Sequence, residues 1–333
     1  MTKLKQLYLK NYCGYRETTF DFTRDDGSLK NIAVFCGSNG CGKSTLLDAI
    51  NIIASASRYV TKDTSKLFRK ITFHPDYDPT YAGFQTSSDP MQIIGIFSCS
   101  GEDKTVIIET DKVVRNDLSP KHNSYSYLIN ADKESERRKF QLHSEMKDTF
   151  LELANTIYGY KVFMAQENVD LYGSGESFYT NFIIEKENGV KVHFKRMSDG
   201  ESKIAKLISS LCNPLYMNGT DIITIDNIVM HIYKNRHAKT VKKILEMFPE
   251  KQFFITTHSP ILVGVDDDEN DIHIKPFIER ENIYDIEKYR VEESERIGKI
   301  DTKSSYLIEA DTSEIERLID LSEKIEFSPS NSK

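Results

Sequence analysis

Tryptophan is absent from the 333 residues, and cysteine is scarce: Cys13, Cys36, Cys41, Cys99 and Cys212. An odd count with no C-x-x-C spacing argues against both a disulfide framework and a zinc site, and fits a reducing, cytoplasmic setting. Long apolar runs are missing too. The longest nearly uncharged stretches, such as Phe253 to Val265, are too short to cross a bilayer, and the opening Met-Thr-Lys-Leu-Lys-Gln puts charge where a secretory leader needs an apolar region. The expectation is a protein neither exported nor embedded in a membrane. Nor is there an excess of positive charge. With 44 Lys+Arg against 51 Asp+Glu the net charge is −7, so no global field recruits nucleic acid, and any such contact must be a local patch. Internal repeats and low-complexity tracts are lacking. What is present, 39% hydrophobic and 29% charged residues, suits one large or two ordinary globular domains with a buried core.

Residues 4–22 alternate like two short half-buried strands, and NIAVFC (31–36) reads as a strand buried on both faces. A glycine loop follows, then an Ala/Leu/Ile-rich helix from Leu46 to Ala56. Strand-like runs at Met91 to Phe97 and Thr105 to Val114, joined by Ser-Gly-Glu-Asp, suggest an antiparallel hairpin beside the main sheet. A helix is expected from about Lys133 to Tyr158, then strands at Tyr160 to Ala165, Phe178 to Glu185 and Val190 to Phe194. Ile204, Leu207, Ile208 and Leu211 have the spacing of an amphipathic helix. Two all-apolar strands, Ile222 to Ile225 and Phe253 to Ile255, bracket a basic helix from His231 to Phe248. Alternating strands and helices predict an α/β core with a mostly parallel sheet flanked by helices, plus an antiparallel β subdomain and a small helical insert. Beyond Val265 an acidic run (Asp266, Asp267, Asp268, Glu269, Asp271) opens a highly charged stretch with one plausible helix, Thr312 to Phe327.

The glycine loop is Gly37-Ser38-Asn39-Gly40-Cys41-Gly42-Lys43-Ser44, the full G-x-x-x-x-G-K-[ST] pattern of a P-loop. Its glycines let successive N–H groups point into an anion-sized nest at a helix N-terminus. Lys43 would reach the β- and γ-phosphates of a nucleotide, the Ser44 hydroxyl would bind Mg²⁺, and Thr45 continues the helix start. Cys41 reads as a small side chain filling a tight position rather than a redox switch.

Three later segments narrow the class. Asp221 to Asp226 (DIITID) is an apolar strand ending in a carboxylate, where a Mg²⁺-associated group must project beside a P-loop. Phe254 to Pro260 (FITTHSP) is another buried strand ending in a histidine, His258, with Ser259 and Pro260 placed as N-cap and N1 of a helix. Ser198-Asp199-Gly200-Glu201 opens an amphipathic helix, a second helix terminus able to bind an anion. In this order the motifs resemble the ABC-type ATPases, in the soluble branch containing RecF, the SMC proteins and the overcoming-lysogenization-defect (OLD) family, and the PtuA-like ATPases. The resemblance covers most of residues 1–265, with MSDGES as signature, IDNIVMHIY as Walker B and ITTHSP as switch-histidine motif.

That resemblance implies a P-loop NTPase fold with an ABC-ATPase-type core, ATP and Mg²⁺ as cofactors, and two ATPs sandwiched between two heads, with Ser198, Gly200 and Glu201 acting in trans. A homodimer on ATP binding, or a higher oligomer, is implied, working on a separate effector protein such as a nuclease. Gln166, after YKVFMA, resembles the loop glutamine that senses Mg²⁺ in this superfamily, and reads equally as an ordinary surface glutamine. Arg16 sits where SMC-like heads carry a basic residue, and also reads as a solvated strand-end arginine. Ser174-Gly175-Glu176, a rival signature, precedes a strand and reads as a loop.

The pattern breaks after Asp226. The family usually has Glu there to polarise the attacking water, whereas this chain has Asn227, which can orient a water but cannot take its proton. Slow turnover follows, or a nucleotide sensor that barely hydrolyses; His231 and His258 are the candidate replacements, His231 reading also as a helix start. Lys43 and Ser198 lie only 155 positions apart, which excludes a long coiled-coil arm, and Asp266-x-Asp268 reads as a solvated acidic loop rather than a Toprim metal motif. The expected organisation is an ATPase head at 1–265, with a hairpin and helical insert at about 91–165, and a charged extension at 266–333. DNA stays open. Arg58, Lys62, Lys66, Arg69 and Lys70 form one basic stretch, and Lys234, Arg236, Lys239, Lys242 and Lys243 another; each could hold phosphates or be a solvated face.

Overall fold

The structure is a computed structural model; it describes residues 1–289 apart from 14, 57–90, 110–111, 119–125, 130–139, 141, 170–176, 214–216, 218 and 268–271. In chain order its strands and helices are β1 (Thr2–Tyr12), β2 (Tyr15–Asp21), β3 (Ile32–Cys36), α1 (Lys43–Ser55), β4 (Gln92–Cys99), β5 (Glu102–Glu109), β6 (Lys112–Asn116), β7 (Ser126–Ile129), β8 (Leu142–His143), α2 (Lys147–Tyr158), β9 (Lys161–Val169), β10 (Ser177–Glu185), β11 (Lys191–His193), α3 (Asp199–Leu211), β12 (Ile222–Ile225), α4 (His237–Met247), β13 (Gln252–Thr256), α5 (Pro260–Val263), β14 (Val265–Asp267), β15 (Ile272–Ile274) and β16 (Ile283–Asp285).

Five strands in the order β16-β3-β13-β12-β7 form an all-parallel sheet. Ile32 to Phe35 of β3 are buried on both sides because this sheet separates two cores. Ile32 and Val34 join α2, α3 and α4 in one, while Ala33 and Phe35 join α1 and the β1–β2–β4–β5 sheet in the other. The second sheet is antiparallel, in the order β2-β1-β4-β5-β6. Between the two sheets lies α1, and its composition follows: Leu46, Leu47, Ala49, Ile50, Ile52, Ile53 and Ala54 are all buried, a broad apolar surface that leaves only a narrow polar stripe, Ser44, Asp48 and Ser55, exposed or half-buried. By contrast α3 buries one stripe, Ile204, Ala205, Leu207, Ile208 and Leu211. A smaller antiparallel group, β8 to β11, carries an aromatic cluster in which Phe182 packs against Phe140 and Phe194 with ring centroids 4.9 and 5.2 Å apart.

The two large sheets are tied by a buried amide. Gln252, at the start of β13, accepts from Leu4 N–H (2.7 Å) and donates to the carbonyls of Leu4 (2.9 Å) and Lys30 (3.1 Å).

The expected α/β class and parallel sheet are found. Four local expectations change. The run Thr105 to Val114 is not one strand: β5 ends at Glu109 and β6 begins at Lys112. The helix expected from Lys133 starts only at Lys147, after β8 and a 3₁₀ turn, Ser144–Met146; residues 130–139 lie outside the described set. The helix expected from His231 starts at His237, because Asn227 and His231 both take left-handed backbone angles, φ 51° and 67°, which cannot be continued as a right-handed helix. Finally, Val265–Asp267 is a strand paired with Ile272–Ile274, not a loop. The sheet also runs past residue 265, since β16 pairs in parallel with β3. The expected helix at Thr312 to Phe327 lies outside the described residues. Among the described residues no helix is long and apolar enough to cross a membrane.

Close approach of α1 to β4 depends on Gly95, where a Cβ would stand 2.8 Å from both Ile53 Cγ1 and Phe97 Cε2. Gly95→Ala should therefore destabilise by about 1–3 kcal/mol through overpacking, despite the better strand propensity of alanine. Thermal melting of the two proteins checks this; an unchanged midpoint would mean that α1 and β4 are not in contact there.

Candidate functional site

The P-loop leaves the end of β3 and enters α1. Gly37, Gly40 and Gly42 have φ of 135°, 78° and 104°, a region that L side chains rarely adopt, so the loop curls as its glycines predict. Ser38, Asn39 and Gly40 are exposed. Cys41 is buried, with its Sγ 2.8 Å from where a Gly37 Cβ would stand, which places it as packing under the loop. Lys43 is buried to 6% exposure and donates to the carbonyls of Gly37 (2.9 Å) and Ser38 (2.7 Å). No acidic residue sits in the first turn of α1 and no side chain caps it, so its N–H groups stay available to an external anion.

Register brings the next group in. β12 and β13 are parallel neighbours with Ile225 opposite Ile255, so Asp226 and Thr256 emerge side by side. Thr256 Oγ1 donates to Asp226 Oδ1 (2.5 Å) and accepts from Asn227 N–H (2.8 Å). Across the gap, Ser44 Oγ donates to Asp226 Oδ2 at 2.9 Å. A hydroxyl and a carboxylate meeting at the mouth of an anion nest are the hard oxygen donors Mg²⁺ takes beside nucleotide phosphates, so the residues present fit a magnesium nucleotide. Buried Tyr15 of β2 also reaches the loop, its hydroxyl donating to the Gly42 carbonyl at 3.1 Å.

His258 follows β13 and is exposed, ahead of Ser259 and Pro260, which cap and open α5 as expected. Behind it, His237 of α4 is buried. Its Nε2 lies 3.0 Å from the Ile232 carbonyl, which only accepts, so Nε2 carries the proton and Nδ1 accepts from the Ser259 hydroxyl at 2.8 Å. Burial holds the ring pKa below its ordinary 6.5, outweighing the Ile232 carbonyl, which favours the cation.

The signature segment opens α3, as expected. Ser198 caps α3, but within a complete capping box: Glu201 N–H donates to Ser198 Oγ (3.3 Å), and Ser198 N–H to Glu201 Oε2 (3.0 Å). Lys186 pairs with Glu201 at 3.2 Å. Partial burial would raise the Glu201 carboxyl, yet Ser198 and Lys186 together hold it below the ordinary value. Gly200 packs on the post-Walker B turn, a Cβ there standing 3.2 Å from His231 Cβ.

Gln166 lies in β9 opposite Asn181 and Arg16 in β2, with both side chains outside the described set, as are Ser174-Gly175-Glu176, Asp268 and the basic stretch Arg58 to Lys70. Of the second basic group, Lys243 pairs with Glu152, Lys242 with Glu246 at 3.8 Å, and Arg236 donates to the Thr156 carbonyl at 3.3 Å. Arg236 also lies against Gly159, at the C-terminus of α2, where any Cβ would collide with its guanidinium. These three are engaged within the protein. Neither Tyr15, in the alternating stretch 4–22, nor Thr256, within ITTHSP, carries a spacing signal of its own in the sequence.

A parallel sheet with a P-loop and an adjacent strand-end carboxylate held to its serine defines a P-loop NTPase core. Residues 2–213 match the AAA ATPase domain family, and the chain belongs to that family, with the fold of an SMC-type head and without a coiled coil among its described residues. It is 23% identical to the Septu protein PtuA of Bacillus thuringiensis, over 96% of this chain and 90% of that one. It is 33% identical over 88 residues to a Vibrio cholerae serotype O1 biovar El Tor protein named "Retron Vc95 probable ATPase", covering 23% of this chain and 17% of the relative. The chain thus matches under a fifth of that relative's length. In fold it is similar to an SMC head domain from Pyrococcus furiosus, solved with an extended coiled coil and bound to the C-terminal domain of ScpA. There the TM-score is 0.50 at 10% identity, over 78% of this chain and 90% of that one.

A neutral buried His237 makes stability depend on pH. Its folded pKa is depressed, so below about 6.5 the unfolded chain takes up a proton that the folded one resists, and stability falls with pH. Urea midpoints of wild type should drop between pH 7.5 and 5.5 by more than those of His237→Asn. Parallel slopes would mean that the ring is not held neutral.

Proposed function

We propose that the chain is an ATP-binding, slowly hydrolysing ABC-type ATPase that closes into an ATP-sandwiched homodimer, or a higher oligomer built from it. It passes that state to a separate effector protein, such as a nuclease, in DNA metabolism or antiphage defence. The observation that carries the reading is the meeting of Ser44 and Asp226 at 2.9 Å beside the glycine nest and Lys43. In this reading the loop from Gly37 through Thr45, including Ser38, Asn39, Gly40, Cys41 and Gly42, cradles the phosphates, and Lys43 holds the β- and γ-groups. Ser44, Asp226 and Gln166 serve the magnesium ion, which when bound draws charge from the phosphates. Asn227 orients the attacking water, His258 stands on the γ-phosphate side, and Ser198, Gly200 and Glu201 act from the partner head. The likeness to a Septu protein and a retron ATPase supports the defence setting.

A second reading, a nucleotide sensor that binds without turnover, is favoured by Asn227 itself. Its amide is no base, and its φ of 51° suits asparagine and strains glutamate by about 1–2 kcal/mol.

Light scattering with Mg-ATP should show a doubled mass, abolished in Lys43→Ala; a wild type that stays monomeric would sink the sandwich. Phosphate release should be slow and rise at least about tenfold in Asn227→Glu, a conservative share of what a general base supplies. Brisk wild-type turnover would assign that task to another group, and release stimulated by duplex DNA would exclude the pure sensor.

A further inference from the structure

The last described residues lie against the P-loop. Tyr284 of β16 and Ile286 are buried in the core shared by the two large sheets, and Tyr289 packs on Phe20 with ring centroids 4.7 Å apart. Thr18 Oγ1 adds a hydrogen bond to the Tyr289 carbonyl at 3.2 Å. Between these anchors stands Glu287, itself exposed. Its Oε1 accepts from Ser38 N–H at 2.7 Å, and its Cγ lies 3.4 Å from where a Gly37 Cβ would be. The Ser38 hydroxyl and N–H, and further off the charge of Lys43, hold the Glu287 carboxyl below the ordinary carboxylate value, so it is ionised at neutral pH.

A permanent anion therefore sits on the same loop as the buried lysine, on backbone fastened at both sides. That arrangement opposes a polyanion. Free ATP carries its full triphosphate charge into the nest, whereas magnesium cancels a large part of it before binding, and the repulsion from a fixed carboxylate falls in proportion. We infer that Glu287 is a specificity-determining residue of the nucleotide site, whose carboxylate beside Ser38 and Lys43 discriminates against metal-free triphosphate and selects the magnesium-complexed nucleotide. The inference rests on the nucleotide-binding reading proposed above. It also gives the loop contact two separable parts, a hydrogen-bond acceptor that braces Ser38 and a charge that filters the ligand.

Glu287→Gln separates them, because the amide oxygen can still accept from Ser38 while the charge is gone, and an exposed position tolerates the change without repacking. Binding of a fluorescent ATP analogue to the full chain, followed by anisotropy in Mg²⁺ and in EDTA, reads the result. Wild type should bind far more weakly in EDTA. In Glu287→Gln the metal-free affinity should rise about tenfold, the scale of one partly screened charge near the phosphates, while the affinity in Mg²⁺ changes much less. An unchanged ratio of the two affinities would overturn the inference, as would an equal fall of both, which marks a brace alone. If wild type binds no nucleotide even in Mg²⁺, the nucleotide reading fails and takes the inference with it; binding with an unaltered ratio leaves that reading standing.

Discussion

The Asp226 carboxylate is the point on which the geometry of the site depends. Ser44 donates to it from the start of α1, and Thr256 from the end of β13, while Asp226 itself directly follows β12. Three elements distant in sequence are therefore brought to one pair of oxygens. None of the three positions is set locally. β12 and β13 align through their parallel register, and α1 is aimed by the apolar packing that fixes it between two sheets. Moving α1 along its axis by even one turn, about 5.4 Å, would take Ser44 out of reach while leaving every local motif intact.

From the same carboxylate a tight turn leads to the signature helix. Ile228 N–H donates to the Thr256 carbonyl at 3.2 Å, and Met230 N–H to the Asn227 carbonyl at 2.9 Å. Two left-handed residues, Asn227 and His231, fold the chain back until His231 touches Gly200. Asparagine tolerates this backbone because its short polar side chain relieves the usual penalty. Gly200 is consistent with the same packing: any side chain there meets His231. The residue usually read as a contact for phosphate thus has a structural reason to be glycine within its own chain.

How far the sequence reveals this depends on whether the information is contiguous. The P-loop, the strand ending at Asp226, the ITTHSP strand and the amphipathic face of α3 are all legible, because hydrophobic period and glycine spacing are local properties. β7 and β16 are not. Both are short edge strands of the parallel sheet, and their place comes from neighbours far away in the chain, β12 for one and β3 for the other. For the same reason Tyr15, Thr256 and Glu287 escape notice: each acts on the site through a contact made only by the fold. The misplaced start of α4 has a different origin, since apolar spacing from His231 onward imitates a helix and only the φ angles break it.

The two helix termini that look alike as motifs differ in how their backbone donors are occupied. At α1 the N-cap is Gly42, with no capping side chain and no acid in the first turn. At α3 the cap is a serine locked into a capping box, with Asp199 and Glu201 in the first turn and Lys186 balancing one of them. Dipole and open N–H groups make the first terminus a place for an outside anion. The second supplies its own. A phosphate arriving from a partner head would have to displace the Glu201 carboxylate from Ser198 and take over Lys186, so any engagement there costs the capping box. Under the dimer reading this makes the signature the weaker half of the site.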